Sequence, residues 1–344
     1  MRLYDRINNG DVYIIAEMSA NHAGKIENAY KIIEEAAKAG ADCVKIQTYT
    51  PDSLTVDCHS DAYKIKSGLW KGYNYYQLYQ KAMTPWAWQD KLKLKCEDVG
   101  VDFLSTPFCV DSVDFLESIG IEFYKIASFE LIDIPLIEYI ASKMKPIIMS
   151  VGMGSEDEIK EALDACKKYG NENVILLKCC SQYPANYKDM NIAAIPLLKE
   201  KFNKVVGLSD HSFGSLAPVI AVSMGAKIIE KHIKLDYGDE SADSEFSMPI
   251  SEFAQMVKNI RNTTTIIGRP TLELTDAEKS GLVGRRSLVA CKEIKKGDEF
   301  SKENIKIIRP AIGIKPKYYN QLIGKKAKKS YDFGAPISEI EIGD

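Results

Sequence analysis

The sequence predicts an α/β chain, a (β/α)8 barrel followed by a small β-rich module. Three observations carry this prediction. Short β-branched or apolar runs alternate with amphipathic helical stretches about eight times over residues 1–268, and eight is the number that closes a parallel barrel. Polar residues gather where those runs end. Beyond Gly284 the pattern changes to short strands and tight turns. A doubly wound open sheet is the competing arrangement, but no glycine-rich dinucleotide fingerprint follows the first strand.

The elements follow in order. A strand over 12–16 leads to a helix over 26–39 that stops at Gly40. A strand over 43–47 leads to a helix over 85–99, with Pro85 in its first turn and Gly100 past its end. Strands over 102–105 and 122–126 precede helices over 110–118 and 134–142. The strand over 146–150 precedes a helix over 156–169, where Ser155 and Glu158 form a capping box. Strands over 174–177, 205–208 and 227–231 are followed by helices over 192–201, 215–224 and 251–267. Residues 269–284 read as a linker. Residues 285–344 form the small module, with strands at 287–290 and 305–308 and a turn at Lys295-Lys-Gly297.

Composition narrows the function. The chain has 344 residues, 45% hydrophobic and 27% charged, enough apolar content for a sizeable core. No apolar run reaches the roughly 20 residues of a membrane span, and residues near Asp5 and Asp11 lack signal-peptide order. A cytoplasmic protein with no membrane partner is expected. The net charge of -3 argues against nucleic acid as a partner. From Arg285 onward there are about 14 basic against about 8 acidic residues, a basic tail on an acidic body. The eight cysteines contain no C-x-x-C, and Cys43, Cys96 and Cys166 sit in apolar patterns, as reduced thiols do.

Barrel chemistry sits at the C-terminal strand ends. Those positions hold Glu17, Lys45 and Gln47, Ser105 and Thr106, Lys125 with Ser128-Phe129-Glu130, and Ser150. They continue with Lys178 to Tyr183, Ser209-Asp210-His211 and Glu230-Lys231-His232. Lysines pointing into a barrel mouth need anions, and the surrounding hydroxyls describe a phosphate or carboxylate site. Each lysine could instead pair with Glu17, Glu130 or Glu230. His211 and His232 follow adjacent strands, so they can share one metal with open positions, Mn²⁺, Mg²⁺, Co²⁺ or Zn²⁺. Asp243 could add a carboxylate. His22 is a further candidate active-site group, and His59 reads as a surface residue.

These motifs resemble the sialic acid synthase family. The matching pieces are Glu17-x-Ser-Ala-Asn-His22, Lys45-Ile-Gln47, Ser105-Thr-Pro-Phe108, Tyr124-Lys-Ile126, Lys145-Pro-Ile-Ile-Met-Ser-x-Gly-Met153, Gly207-Leu-Ser-Asp-His211 and Glu230-Lys-His232. The tail, with Arg286-Ser-Leu, Ile294-Lys-Lys-Gly297 and Ile308-Arg-Pro310, looks like that family's antifreeze-like SAF domain. Gly68-Leu-Trp-Lys-Gly72, Ala127-Ser-Phe-Glu130 and Cys180-Ser-Gln-Tyr183 are similar to the pseudaminic acid branch. N-acetylneuraminate and legionaminate synthesis are the neighbouring readings.

The resemblance implies condensation of phosphoenolpyruvate with an open-chain acetamido sugar and water, releasing phosphate by C–O cleavage. It implies a divalent metal, Mn²⁺ or Mg²⁺ first, on His211 and His232. Lys45, Lys125, Thr106, Ser128, Ser150 and Ser209 would hold the donor's anionic groups. The family's phosphate contact at Ser181 is a departure here. Glu17 and Glu130 would handle protons or sugar hydroxyls, and Gln47 joins the substrate-binding set. Tyr183 and Asp243 would face the sugar, with Phe129 and the aromatics from Trp70 to Tyr79 as apolar wall. It also implies a homodimer in which one tail caps the partner's barrel and offers Arg309. Products of this kind decorate flagellin or surface polysaccharide. Two other classes remain: a Schiff-base aldolase using Lys125 or Lys178, and an inert barrel with a carbohydrate- or ice-binding tail.

Overall fold

The computed structural model describes residues 2–343 apart from Tyr237 and Asp239. The chain divides into two compact units, Met1–Gly268 and Arg269–Asp344. In the first unit eight parallel strands follow one another in sequence order: β1 Tyr13–Glu17, β2 Cys43–Thr48, β3 Asp102–Pro107, β4 Tyr124–Ile126, β5 Ile147–Ser150, β6 Val174–Cys179, β7 Val206–Asp210 and β8 Ile228–Lys234. β8 pairs back with β1, bringing Glu17 opposite His232, so the sheet closes into a barrel. A short β9, Met248–Pro249, pairs in parallel with the C-terminal end of β8.

The period-two alternation of strands explains the two cores. One set of positions, including Ile14, Val44, Ile126, Met149, Leu176, Leu208 and Ile229, packs outward against the helices. The other set, Tyr13, Ile15, Leu104, Phe123, Ile148, Ile175, Leu177 and Ile228, fills the barrel. Helix α1, Arg2–Asn8, closes the lower end by placing Leu3 in this inner core. Arg6 and Arg261 both pair with Asp11 and with buried Asp42, which ties α1 to the helix Ile250–Ile267.

Several elements depart from the sequence expectation. α1 was not foreseen. The strands β3, β6, β7 and β8 run two or three residues further at their C-terminal ends than the apolar pattern suggests, because their last residues are the polar ones. Between β2 and β3 the chain adds helices Pro51–Leu54 and Tyr75–Ala82, the latter capped by Asn74 accepting from the Tyr76 amide. The expected linker contains a helix, Asp276–Ser280, with a Thr275–Glu278 capping box. No helix among the described residues is long and apolar enough to cross a membrane.

The second unit is built on an antiparallel pair, β10 Ser287–Ala290 and β11 Ile305–Ile308. Leu288, Ile294, Phe300, Ile305, Leu322, Tyr331 and Ile337 form its core. Buried Glu341 is satisfied by the Lys328 amide and the Tyr331 hydroxyl.

Gly207 lies on the inner face of β7. A Cβ there would fall 2.5 Å from the Ile228 carbonyl oxygen and 2.6 Å from Leu177 Cδ2. The glycine of the Gly207-Leu-Ser-Asp-His211 motif is therefore steric, leaving room for Leu177. Gly207→Ala is expected to lose about 1–3 kcal/mol of stability by overpacking. Urea unfolding would measure it, and a midpoint equal to that of the wild type would contradict this packing.

Candidate active site

Up the barrel the inward side chains change from apolar to charged. Above Ile15, Leu104, Ile148, Leu177 and Ile228 come Glu17, Lys45, Thr106, Lys125, Ser150, Cys179, Ser209 and Glu230, all buried. The Lys45 ammonium lies 2.6 Å from Glu17 Oε2 and 3.8 Å from Glu230 Oε1. It also donates to Thr106 Oγ1 at 3.3 Å. The Lys125 ammonium donates to Ser150 Oγ at 2.6 Å and lies 3.9 Å from Glu230 Oε1, which accepts from Ser209 Oγ at 3.0 Å. The alternative weighed from sequence, lysines paired with barrel glutamates, is thus realised for Glu17 and Glu230. Gln47 Nε2 donates to Glu17 Oε1 at 3.3 Å and to Ser19 Oγ at 3.1 Å.

Burial sets the protonation of this layer. It pushes the Glu17 carboxyl up to about 7, against the pull of Lys45. Burial opposes ionisation of Glu230 too, but Lys125 and Lys45 outweigh it and hold that carboxyl below its ordinary value. Burial also lowers Lys125. Glu230 stands in the sequence only as a strand-end residue and a possible lysine partner, without a role in the site, since nothing but its place on the strand distinguishes it from other glutamates.

Beside Lys125 lies a cradle of hydroxyls. Ser128 Oγ accepts from the Gly152 amide at 3.1 Å. A Cβ on Gly152 would sit 2.6 Å from Ser181 Oγ and 2.8 Å from Ser128 Oγ, so only glycine leaves this pocket open. Cys179, unmarked in the sequence reading, has its sulfur 3.8 Å from Ser181 Oγ. Glu130 follows in the turn Ser128–Glu130. Its Oε2 is buried without a partner, and burial pushes its carboxyl up to about 7 despite Lys125.

The two imidazoles lie side by side at the mouth, at the ends of neighbouring β7 and β8, ring centroids 5.2 Å apart. His211 Nδ1 donates to the Cys180 carbonyl at 2.9 Å, which leaves Nε2 available to ligate. His232 Nδ1 is buried with no hydrogen-bond partner. A divalent metal fits these two nitrogens, and the ring separation is within the span one ion can bridge. Among the described residues no third His, Cys, Asp or Glu completes a ligand cluster. Asp243, whose carboxyl burial pushes up, accepts instead from the Ala20 amide at 3.2 Å.

An aromatic wall flanks the pair. Tyr183 lies 4.2 Å from His211, and Phe246, missed in the sequence, lies 4.9 Å from His232 and 5.1 Å from Tyr183. Trp70 joins Tyr183 at 5.6 Å and is held by its indole N–H on the Ala242 carbonyl. Tyr79 packs on Tyr49 rather than on the imidazoles. Phe129 is 58% exposed on the rim. His22 does not join the site. Its Nδ1 accepts from the Gly24 amide, its ring packs on Trp88, and burial pushes its pKa down to about 4. Lys178 donates to the Cys179 carbonyl, on the opposite alternation from Cys179. Arg309 directly follows β11, in the second unit.

Glu130 gives a pH signature. Between about pH 4.5 and 7 the folded protein keeps a proton that the unfolded chain has released, so stability falls as pH rises through that window. The fall attributable to this carboxyl is about 3 kcal/mol. Glu130→Gln should flatten that part of the slope in urea midpoints measured from pH 4.5 to 7.5. An unaltered slope would show that Glu130 ionises normally.

A profile of the NeuB family matches residues 32–271, and one of the SAF domain matches residues 285–339. The pseudaminic acid synthase of Campylobacter jejuni strain 81-176 is 47% identical over 330 residues, 96% of each chain. The N,N'-diacetyllegionaminic acid synthase of Legionella pneumophila is 34% identical, covering 94% of this chain and 93% of that one. The crystal structure of an N-acetylneuraminic acid synthetase from Leptospira borgpetersenii, in complex with citrate, matches with a TM-score of 0.70. It is 34% identical, over 79% of this chain and 90% of that one. The chain belongs to the NeuB family and carries a C-terminal SAF domain.

Proposed function

We propose that this protein is a pseudaminic acid synthase. It condenses phosphoenolpyruvate with the open-chain form of 2,4-diacetamido-2,4,6-trideoxy-altrose and water, giving pseudaminic acid and phosphate. The observation that carries the reading is the buried layer of Lys45, Lys125, Glu17 and Glu230 beside the Ser128–Gly152–Ser181 cradle and the His211–His232 pair. The 47% identity to a pseudaminic acid synthase against 34% to a legionaminic acid synthase supports the choice of sugar.

Lys45, Lys125, Thr106, Ser150 and Ser209 bind the donor's anionic groups, and the Gly152 amide with Ser128 and Ser181 orients the phosphate. This is positioning plus fixed electrostatics. Donor C3 attacks the sugar aldehyde carbon as the enol π bond opens. Water adds at C2 and gives one proton to Glu17, which passes it to the former aldehyde oxygen. The phosphate then leaves with its bridging oxygen as the C2–O bond breaks, taking the C2 hydroxyl proton as the ketone forms. His211 and His232 would hold a divalent metal, Mn²⁺ or Mg²⁺, which when bound supplies Lewis-acid polarisation of the aldehyde. Glu130 and Asp243 hold sugar hydroxyls. Tyr183, Trp70 and Phe246 exclude water and offer apolar surface to the acetyl and methyl groups.

The reading extends to the assembly. Phe129, Ile132, Met153 and Phe213 are exposed apolar side chains in the connections after β4, β5 and β7, and exposed Leu216 begins the helix after β7. They suit coverage by the SAF domain of a second copy, offering Arg309, in a homodimer. Eight unpaired cysteines suit a cytoplasmic setting.

Phosphate release tests the function. With phosphoenolpyruvate and a panel of acetamido hexoses, turnover is expected with the 2,4-diacetamido-6-deoxy altro sugar, to be lost with chelator and in His211→Ala. Donor labelled with ¹⁸O at the bridging position should pass that label to phosphate. Turnover confined to N-acetylmannosamine or to the legionaminic precursor would overturn the choice of sugar. Chelator-resistant turnover with borohydride trapping would favour a Schiff-base aldolase.

A further inference from the structure

We infer that the buried Asp210–Lys231 ion pair, behind His211 and His232 on the outer face of the barrel, positions those two imidazoles for a divalent metal. The inference rests on the reading of the imidazoles as metal ligands.

Asp210 and Lys231 are cross-strand partners on β7 and β8, each immediately preceding one of the histidines. Alternation points Ser209 and Glu230 into the mouth, where they bond each other. Asp210 and Lys231 therefore point away from it, and neither touches substrate. Their charged groups meet at 2.6 Å, with side-chain exposures of 0% and 1%. A buried pair of this kind adds little net stability over apolar side chains of the same size. A geometric role fits the bonds it makes.

Those bonds bracket His211. Asp210 Oδ1 accepts from the Ser212 amide at 2.9 Å and from Ser212 Oγ at 2.7 Å. The Lys231 ammonium donates to Asp210 Oδ2 and also to the Ser212 carbonyl. The residues on both sides of His211 are thus tied to the residue before His232. His211 lies one residue past the end of β7, where the ladder no longer fixes its backbone against β8. The ion pair carries the register of the two strands one residue further, and with it the separation of the two rings. Asp210 and Lys231 are positioning residues, acting through the histidines.

Binding of Mn²⁺ alone to the full-length protein, followed by calorimetry, tests this. The double variant D210N/K231M removes both charges and nearly keeps both shapes. It should bind Mn²⁺ about 10- to 100-fold more weakly than the wild type. Turnover should recover at high Mn²⁺, with the half-saturating metal concentration raised. Ser212→Ala keeps the ion pair and removes one hydrogen bond, so a smaller weakening in the same direction is expected. It decides the matter alone if the double variant does not fold. Wild-type Mn²⁺ affinity in the folded variants, with only a lower unfolding midpoint, would overturn the positioning role. A wild type that binds Mn²⁺ no better than His232→Ala would overturn the ligand reading itself, and the inference with it.

Discussion

The structure turns on a layer of buried charge stretched across a barrel whose lower interior is apolar. Lys45 and Lys125 stand on strands that offer no water, so each needs an anion within reach. Without a ligand the anions are Glu17 and Glu230. An arrangement with two ammonium groups, one carboxylate held ionised and one with its pKa pushed up to about 7 is adjustable. A multiply charged donor can take over the pairing to the lysines and leave Glu17, with its raised proton affinity, as the base. The same burial that makes the layer costly makes it a strong and selective anion site.

Everything around the layer follows from strand alternation. Inward positions one step below are apolar, among them Ile15, Leu104, Phe123, Ile148 and Leu177, and seal the barrel, with α1 closing the end. Inward positions at the upper rim are Gln47, His211 and His232, and the loops beyond them bring Ser128, Glu130, Tyr183 and Phe246. Gly152 and Gly207 act by absence. One keeps the hydroxyl cradle open and the other makes space for the packing of Leu177. The outward positions of β7 and β8 hold the Asp210–Lys231 pair, so these two strands serve the site on both faces.

Much of this was legible in the sequence, for identifiable reasons. Eight repeats of a period-two run and a period-3.6 stretch announce the barrel, and strand-end polarity announces the mouth. The two histidines stood out because they follow adjacent strands. Other features were not legible. α1 is one short helix with a single fully buried residue, Leu3, too little for a period to show. The long connection from β2 to β3 hides two helices behind mixed composition, while the Thr275–Glu278 capping box is a signal the sequence does carry for the short helix after it. Glu230 and Phe246 look generic until the strand and loop are placed. His22 belongs to the same motif as Glu17, yet it turns into the packing around Trp88, because a motif does not state which way each side chain faces.

The affinity of the protein for phosphoenolpyruvate, measured by calorimetry without sugar, tests the central claim most directly when the wild type is compared with Lys125→Met. Loss of one buried ammonium from the charged layer should weaken binding by about 100-fold or more, as truncation of a buried charge partner does. Equal affinity in the two proteins, with the variant folded, would mean that the donor's charge is held elsewhere and that the layer serves only the packing of the barrel.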